Sequence, residues 1–209
     1  MSAARLRINW FLLLGAILGL TGCATVPMPG VTSHSEASAI TAANAPVRLN
    51  EFSVAGRFSA RRGDQSGTGQ FRYSVDARAT TLDLFTPTGA QLARIERVAG
   101  GRVVGVFGDG SRREAENFAE LLRGFIEISI SDAQFFSWLQ GIPADGRTPT
   151  VVDSNSNVES FSESGWSVVI SARFDEGARF VRRMRWAFDA AGPAEATEIR
   201  WVFDEFSTK

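Results

Sequence analysis

The residues best placed to do chemistry lie near the start of the chain, around its single cysteine, Cys23. Cys23 follows Leu20-Thr21-Gly22, and it is preceded by Arg5, Arg7 and an apolar stretch from Trp10 to Leu20. A basic start, an apolar middle and small residues before a cleavage point are the layout of a secretory signal. The apolar stretch is shorter than the ~20 residues that cross a bilayer, which argues against a permanent transmembrane helix. The Cys23 thiol is therefore the prime candidate for covalent modification.

Residues 20–23 resemble the lipobox of bacterial lipoprotein precursors. The resemblance implies a diacylglycerol group on the Cys23 sulfur, cleavage after Gly22, and an acyl chain such as palmitate on the new amine. Several acyl chains anchor a protein firmly, whereas one holds it only marginally. Residue 24 is Ala24, not the aspartate of enterobacterial inner-membrane lipoproteins, so by analogy we expect a lipid anchor on the periplasmic face of the outer membrane. An ordinary secretion signal with an incidental cysteine is the alternative.

The composition excludes several other classes of protein. Once Cys23 is acylated, no thiol remains for a disulfide, a metal or nucleophilic catalysis. The sole histidine, His34, lies in a segment without large apolar residues, so histidine-based triads and the common zinc sites are not expected. Removing residues 1–22 leaves 20 basic against 23 acidic side chains, a net charge of −3. We expect no metal, no nucleic-acid partner, and no cofactor beyond the lipid on Cys23.

Paired carboxylates offer the one enzymatic alternative. A hydrolase could use Asp109 with Glu114, or Glu159 with Glu163, as its two acids. Both pairs lie among turn or exposed positions of the predicted elements. We therefore expect a protein that is not an enzyme.

The chain is predicted to have three parts. Residues 1–22 form the signal peptide, residues 23–50 the lipidated cysteine and a flexible tether, and residues 51–209 a single domain of ordinary size. The tether is rich in Ala, Ser, Thr and Pro. A flexible chain of that length spans on the order of 30 Å root-mean-square, so the domain can swing above a membrane.

Alternation of apolar and polar residues dominates the domain. From Phe52 to Arg61 the even positions are mostly apolar and the odd ones mostly Ser or Arg, which predicts a strand with one apolar face. Gly63-Asp64 supplies a turn, and the pattern returns from Phe71 to Val75, predicting a hairpin. Further strands are predicted at 82–84, 92–98, 103–107, 166–174, 180–188 and 199–203. Short turns between consecutive strands favour an antiparallel meander.

The middle of the domain changes period. Apolar residues from Ala115 to Leu122 are spaced three and four apart, which predicts a short amphipathic helix. A second helix begins at Ser131-Asp132 and stops at Gly141, with Pro143 beyond it. Two short helices can cover only part of a wide sheet, so we expect the sheet to curl around an apolar hollow.

Three segments resemble the LolB family of outer-membrane lipoprotein receptors. They are the strand Gly56 to Ser59 (GRFS), the run from Leu82 to Ile95 that contains Thr86-Pro87-Thr88-Gly89, and the helix end Trp138 to Pro143. The similarity extends in order and spacing over residues 51–209. It implies an incomplete antiparallel β-barrel with a helical lid over an apolar cavity, a fold shared with the LolA carrier.

The same resemblance implies a function and partners. Such a receptor takes acylated lipoproteins from a LolA-type periplasmic carrier and delivers them to the outer membrane lipid, and we expect it to act as a monomer. A lipid-anchored periplasmic carrier of phospholipid or another amphiphile is the alternative.

Two sets of site residues follow. The candidate acyl-binding residues are the large members of the apolar faces: Phe58, Phe71, Tyr73, Leu82, Leu84, Phe118, Leu122, Phe136, Trp138, Trp166, Ile170, Met184, Trp186, Trp201 and Phe203. The candidate membrane-insertion loop comprises Phe85, Pro87, Thr88 and Gly89. LolB relatives carry a protruding leucine one residue after the proline, where this chain has Thr88. Either Phe85 takes over the membrane contact, or insertion depends on the Cys23 anchor and the cavity rim.

Overall fold

The structure is a computed structural model that describes residues 47–98, 100–123, 130–155, 157–175, 180–188 and 196–208. The signal peptide and the tether as far as residue 46 lie outside the described residues. No helix in the described part of the chain has the length and apolar character needed to cross a bilayer.

The domain is one antiparallel sheet of eleven strands with two short helices. The elements are β1 (Phe52–Arg62), β2 (Gln65–Val75), β3 (Ala79–Phe85), β4 (Gln91–Val98), β5 (Val103–Phe107), β6 (Arg112–Ala115), α1 (Phe118–Leu122), α2 (Asp132–Leu139), β7 (Thr150–Val152), β8 (Val158–Glu163), β9 (Trp166–Arg173), β10 (Val181–Phe188) and β11 (Thr197–Thr208). The strand order is β6-β5-β4-β3-β2-β1-β11-β10-β9-β8-β7, so the sheet is open, with β6 and β7 at its edges. The predicted open antiparallel fold is confirmed.

The first and last strands meet at the centre of the sheet. β1 pairs with β2 through the Gly63 turn and with β11 along its other side. Each half of the sheet is then a meander in which strands that follow one another in the chain are paired. The apolar members of β1 lie opposite those of β11, as in the pair formed by Phe58 and Trp201.

Two bulges change which residues face inward. The β1–β11 register shifts after Ala55, so that Gly56 pairs with Phe203 while Ala55 pairs with Glu205. A Cβ at residue 56 would lie 2.9 Å from the Cα of Phe203, which explains the glycine. In β10 the register shifts on both sides of Arg183.

The β10 bulge corrects one prediction. Strict alternation over the predicted strand 180–188 places Phe180 on one face with Met184 and Trp186, but Phe180 precedes the strand and stacks on Phe206 with ring centroids 4.7 Å apart. Val181 is fully buried in its place. An extra residue in one strand reverses the alternation, so residues three apart can share a face.

The helices occupy the connection between the two edge strands. Asn117 caps α1, which is one turn long and begins three residues later than its sequence pattern suggests, because Arg112–Ala115 pairs with β5 as β6. Ser131 and Gln134 form a reciprocal capping box at the start of α2. Such a box satisfies backbone N–H groups that the first helical turn leaves free. β7 and β8 form a hairpin that the sequence pattern did not predict.

Candidate functional site

The concave face of the sheet is an apolar trough. Inward side chains from strands on both sides of β1 are buried, among them Phe71, Ile95, Val168, Trp186 and Trp201. Their rings pack edge to face or tilted, as where Phe71 approaches Trp201 at 4.8 Å between centroids. Aromatic packing of this kind contributes dispersion and area burial without polar selectivity. The trough is therefore chemically suited to hydrocarbon.

Helix α2 covers the trough and reaches into it with two aromatic side chains. Phe135 lies 5.4 Å from Tyr73 and 5.8 Å from Trp186, between ring centroids. Trp138, one turn later, lies 5.4 Å from Trp186 and 6.0 Å from Trp166. Both side chains are almost completely buried. The inner face of the cover thus occupies the space over these strands.

The first turn of α2 is fixed to the sheet and to α1 by a polar cluster around Arg97 of β4. The Arg97 Nη2 atom is 2.6 Å from Asp132 Oδ2 and donates to the Glu116 carbonyl at 2.7 Å. The other Asp132 oxygen accepts from the Phe118 backbone N–H at 2.9 Å. The Arg97 guanidinium also lies over the Phe118 ring, 5.7 Å from its centroid. One arginine therefore connects β4 with the beginning of both helices.

The end of α2 is held by Glu163 at the end of β8. The Glu163 carboxylate accepts hydrogen bonds from Trp138 Nε1 at 2.7 Å, from the Ala144 N–H at 2.9 Å and from the Asp145 N–H at 2.8 Å. Gly141, at a φ of 72°, ends the helix against the side chain of Val181. The carboxylate thus satisfies a buried indole and two loop amides at once.

The residues just before β1, which we call the arm (residues 47–51), also bind the end of α2. The buried Gln140 side chain accepts from the Leu49 N–H at 2.8 Å and donates to the Leu49 carbonyl at 3.3 Å. Arg48 donates to the carbonyls of Pro143 and Ala144 at 3.1 and 3.0 Å. The segment through which the predicted tether enters the domain is therefore in direct contact with the helical cover.

A cavity of about 330 Å³ lies between the arm, the sheet and the first turns of both helices. We call it the arm cavity. Its apolar walls come from Val75, Phe118, Phe135 and Phe136, while Tyr73 and three charged side chains supply polar groups. This volume is within the range of small-molecule sites.

The structure brings most predicted acyl-binding residues together around the trough. Thirteen of the fifteen are buried, and Phe58 and Phe136 are half buried. Phe58 covers Gly69, where a Cβ would lie 2.9 Å from its ring. Phe136 lines the arm cavity and contacts the Phe52 ring at 5.4 Å. Their role in binding acyl chains stays a prediction.

The central residue that the sequence prediction missed is Phe135, which contacts three aromatic residues of the trough. Its spacing of three and four residues from Trp138 and Leu139 could have identified it, because the three residues together form the buried stripe of α2.

The predicted membrane loop is a tight turn between β3 and β4. The Thr86 hydroxyl accepts from the Ala90 N–H at 3.0 Å and lies 2.9 Å from the Thr88 hydroxyl. Gly89 adopts a φ of 89°, which a non-glycine residue rarely takes. Pro87 and Thr88 are exposed, whereas Phe85 is half buried. Of this loop, Thr88 and not Phe85 therefore stands at the exposed tip.

Acids of both candidate pairs make hydrogen bonds or ion pairs with neighbouring residues. The pKa of Asp109 lies below its usual value because Ser111 donates hydrogen bonds to its carboxylate. Glu114 is 3.8 Å from Arg112, and Glu163 is the acceptor of three hydrogen bonds in the α2 region. Within the ranges that the structure describes, no group of three His, Cys, Asp or Glu side chains could hold a metal.

Comparison with known proteins identifies relatives over nearly the whole domain. The family model described as "Outer membrane lipoprotein LolB" matches residues 50–205. Outer-membrane lipoprotein LolB of Cupriavidus pinatubonensis is 30% identical over 162 residues, covering 75% of this chain and 72% of the relative. Its counterpart in Cupriavidus necator is 28% identical over 196 residues, covering 91% and 92%.

Solved structures with little sequence similarity share the fold. A LolA-superfamily protein from Nitrosomonas europaea has a TM-score of 0.50 at 7% identity, covering 79% of this chain and 89% of its own. A DUF1329-family protein from Desulfovibrio piger has a TM-score of 0.50 at 10% identity, with coverage of 77% and 86%. These likenesses support the open-barrel fold.

Sequence family, fold and the apolar trough agree with one another. The family resemblance given by the GRFS strand, the β3–β4 run and the α2 end is confirmed over residues 50–205. The chain belongs to the LolB family of outer-membrane lipoproteins, whose members are receptors in lipoprotein trafficking and not enzymes.

Proposed function

We propose that this chain accepts acylated lipoproteins from a LolA-type carrier in the periplasm and delivers them to the outer membrane, holding their acyl chains in the trough beneath α2. Family membership supports a receptor role in lipoprotein localisation. The observation that carries the acyl-binding step is the aromatic trough whose cover is a separate helix. Phe135 and Trp138 of that helix occupy the positions that hydrocarbon would take.

The need for such a receptor follows from the hydrophobic effect. Each methylene moved from water to an apolar site gains about 0.8 kcal/mol, so a multiply acylated protein cannot cross an aqueous compartment unaided. Passing the chains between apolar sites avoids that cost. Transfer proceeds without a nucleotide when each successive site binds the chains more favourably, and the bilayer is the most favourable site.

Acyl binding in this protein requires α2 to move. The rings of Phe135 and Trp138 fill the trough over β10 and β11, and protein interiors are packed too densely to admit a chain beside them. The helix is attached to the rest of the domain by its buried aromatic side chains and by polar contacts at its two ends, around Arg97 and around Glu163. Polar contacts can be exchanged for contacts with water at small net cost. The helix can thus leave the trough as a unit when acyl chains replace its aromatic side chains.

The receptor would be anchored to the membrane through its lipidated cysteine. Cys23 would carry the lipid that holds the protein to the periplasmic face of the outer membrane, and the tether would let the domain, as a monomer, meet its carrier. The exposed residues Pro87, Thr88 and Gly89 would touch the bilayer during release, although Thr88 offers less apolar surface than leucine. Its membrane contact therefore rests more heavily on the Cys23 lipid.

The experiment mixes this protein, lacking residues 1–23, with a LolA-type carrier loaded with a labelled lipoprotein. We expect the cargo to move to this protein, and to move on to vesicles when the full lipidated chain is embedded in them. Cargo that stays entirely on the carrier would contradict the receptor role. Mass spectrometry of protein purified with minimal detergent separates the alternative, since bound phospholipid without acylated protein would indicate an amphiphile carrier.

A further inference from the structure

A groove lined by arginines lies on the outer face of the sheet, where β1, β11 and β10 run side by side. We call it the arginine groove and define it by Arg61, Arg185, Glu198 and Arg200. Its volume is about 420 Å³. Glu198 and Arg200 flank the fully buried Ile199 on β11, so their side chains point away from the trough.

The arginine groove is positively charged, although the whole chain has a net charge of −1. Its three arginines face one glutamate, which leaves a net charge of +2. Arg185 and Arg200 lie directly opposite each other in the β10–β11 ladder, and like charges in such a pair destabilise a sheet. The Glu198 carboxylate lies between them, 3.3 Å from Arg185 Nη1 and 2.7 Å from Arg200 Nε. One carboxylate therefore compensates only part of the charge that the strands place here.

The guanidinium groups keep donors available for a ligand. Arg185 uses only Nη1 and Arg200 only Nε in contacting Glu198, so their other N–H groups have no partner among the described residues. Arg61 donates from Nε to the Gly63 carbonyl at 3.2 Å. The side chains of Arg185 and Arg200 are 49% and 68% exposed, so a ligand can reach them. Guanidinium groups bind phosphate oxygens through parallel N–H donors, so a phosphate group supplies both the acceptors and the missing negative charge.

The arginine groove lies at the same end of the sheet as the β3–β4 turn. The residues paired across neighbouring strands, starting from the last residue of β3, are Phe85, Gln70, Arg57, Val202 and Arg183. Arg200 and Arg185 lie two residues beyond this row, on the side toward which the chain leaves β3 for the turn. The exposed residues 87–89 and the groove can therefore approach one surface together.

We propose that the arginine groove binds the phosphate groups of anionic phospholipids at the membrane surface while the β3–β4 turn contacts the bilayer. This inference rests on the proposed delivery to a membrane and adds to it a site for the lipid headgroup. Each arginine close to an anionic membrane contributes about fivefold to the binding constant. A turn and a cationic groove at one end of the domain orient that end toward the lipid that receives the cargo.

The experiment measures cosedimentation of the protein lacking residues 1–23 with two kinds of vesicle, phosphatidylcholine alone and phosphatidylcholine mixed with phosphatidylglycerol. We expect tighter binding to the anionic vesicles, and Arg185→Gln and Arg200→Gln should each weaken it by about fivefold. Arg78→Gln removes the same charge from the exposed β2–β3 turn at the opposite end of the sheet and should bind as the parent protein does. Added salt should reduce the difference between parent and groove variants, because it screens exposed charges.

Free phosphate is the other source of this ligand chemistry. Inorganic phosphate is titrated into the same protein in the absence of vesicles, and we expect no saturable binding that depends on Arg200. Saturable binding of inorganic phosphate that Arg200→Gln abolishes, together with equal binding to anionic and neutral vesicles, would assign the groove to a soluble phosphate. That result would overturn the membrane contact.

The remaining outcomes separate the arginine groove from the proposed function. Equal affinity of Arg78→Gln and Arg200→Gln for anionic vesicles would overturn the groove and leave the receptor role intact. Groove variants that accept cargo from the carrier more slowly, with unchanged vesicle binding, would assign the groove to an acidic protein and also overturn the proposal. Cargo that stays on the carrier, while the parent protein binds anionic vesicles through Arg185 and Arg200, would contradict the receptor role alone.

Discussion

Arg97 on β4 and Asp132, the first residue of α2, form an ion pair whose Nη2 and Oδ2 atoms are 2.6 Å apart. The two side chains are 30% and 23% exposed, so the pair is shielded from most of the solvent. Because Asp132 also receives the Phe118 N–H, the pair joins the sheet to both helices. It is the shortest ionic link between the sheet and the cover among the residues that the structure describes.

Replacing Arg97 by Gln should loosen the cover. The variant leaves the Asp132 carboxylate without its cation, and we expect a loss of about 2 kcal/mol in the free energy of unfolding. Urea denaturation measures this loss in the free energy of unfolding. Arg57→Gln removes an exposed pair with Asp204 and should barely move the midpoint, since exposed pairs contribute little. Equal effects of the two variants would show that the Arg97 pair has no special role.

Gly141→Ala should be more damaging than Gly110→Ala. Both glycines have positive φ values, 72° and 80°, so alanine is strained at either position by about 1–2 kcal/mol. A Cβ at residue 141 would also lie 2.5 Å from the Val181 Cγ2, whereas one at residue 110 would meet nothing within 4 Å. We expect Gly141→Ala to lose several kcal/mol and Gly110→Ala only the backbone cost. Similar losses in thermal or urea unfolding would contradict the close contact of α2 with β10.

Tyr73 should make the protein sensitive to alkali. Burial, with a smaller contribution from Asp132, holds its pKa above the unfolded value of about 10. The native state therefore retains a proton that the unfolded state releases. The stabilisation is complete below about pH 10 and is lost as pH rises above it.

The measurement of this effect is direct because Tyr73 is the only tyrosine of the chain. Near-ultraviolet absorbance of phenolate should appear only as the protein unfolds. In Tyr73→Phe, stability should fall less between about pH 8 and about pH 11. Phenolate formation near pH 10 in the folded protein would contradict the burial of this side chain.

Gln140→Ala should release the arm from α2. The variant removes both hydrogen bonds to Leu49, and we expect a loss of about 1–2 kcal/mol together with faster hydrogen exchange at the Leu49 amide. Gln70→Ala, which removes a bond to the Pro87 carbonyl in the β3–β4 turn, is the matched control. In Gln70→Ala, the Leu49 amide should exchange at the same rate as in the parent protein. Unchanged exchange in Gln140→Ala would show that the arm is held by other contacts.

Thr88→Leu should strengthen contact with membranes. The residue is exposed at the tip of the β3–β4 turn, and leucine there adds apolar surface worth about 1–2 kcal/mol when fully inserted in lipid. Cosedimentation with vesicles measures the change in the protein lacking residues 1–23. Asn155→Leu, in the β7–β8 turn at the other side of the sheet, should have no such effect. Equal binding of the two variants would argue that this loop is not the membrane contact.

Sequence periodicity predicted the strands with clean alternation, and it failed where the pairing of strands and not the apolar spacing decides the conformation. β1 from Phe52 onward and β9 from Trp166 onward bury alternate residues as expected. The last residue of β6, Ala115, fits the predicted spacing of the first helix. The strand conformation of β6 comes from hairpin pairing with β5, which the spacing of apolar residues does not encode.

The candidate site was predictable in composition more than in geometry. Large apolar residues on inward faces identified the trough, but Phe136 was chosen over its neighbour Phe135 on α2. Adjacent helical residues point about 100° apart, and the sheet surface decides which of them is covered. The arm's contact with Gln140 was likewise invisible, because a glutamine that binds backbone groups 91 residues away leaves no local pattern.

The free margins of the sheet bear on how far its interior can widen. A closed cylinder of strands has a fixed girth, because widening it would break a row of inter-strand hydrogen bonds. Here β6 and β7 each pair on one side only, so the margins can draw apart while every ladder stays intact. The separation of the margins is then limited by the contacts of α1 and α2 with the strands and not by the hydrogen-bond ladders.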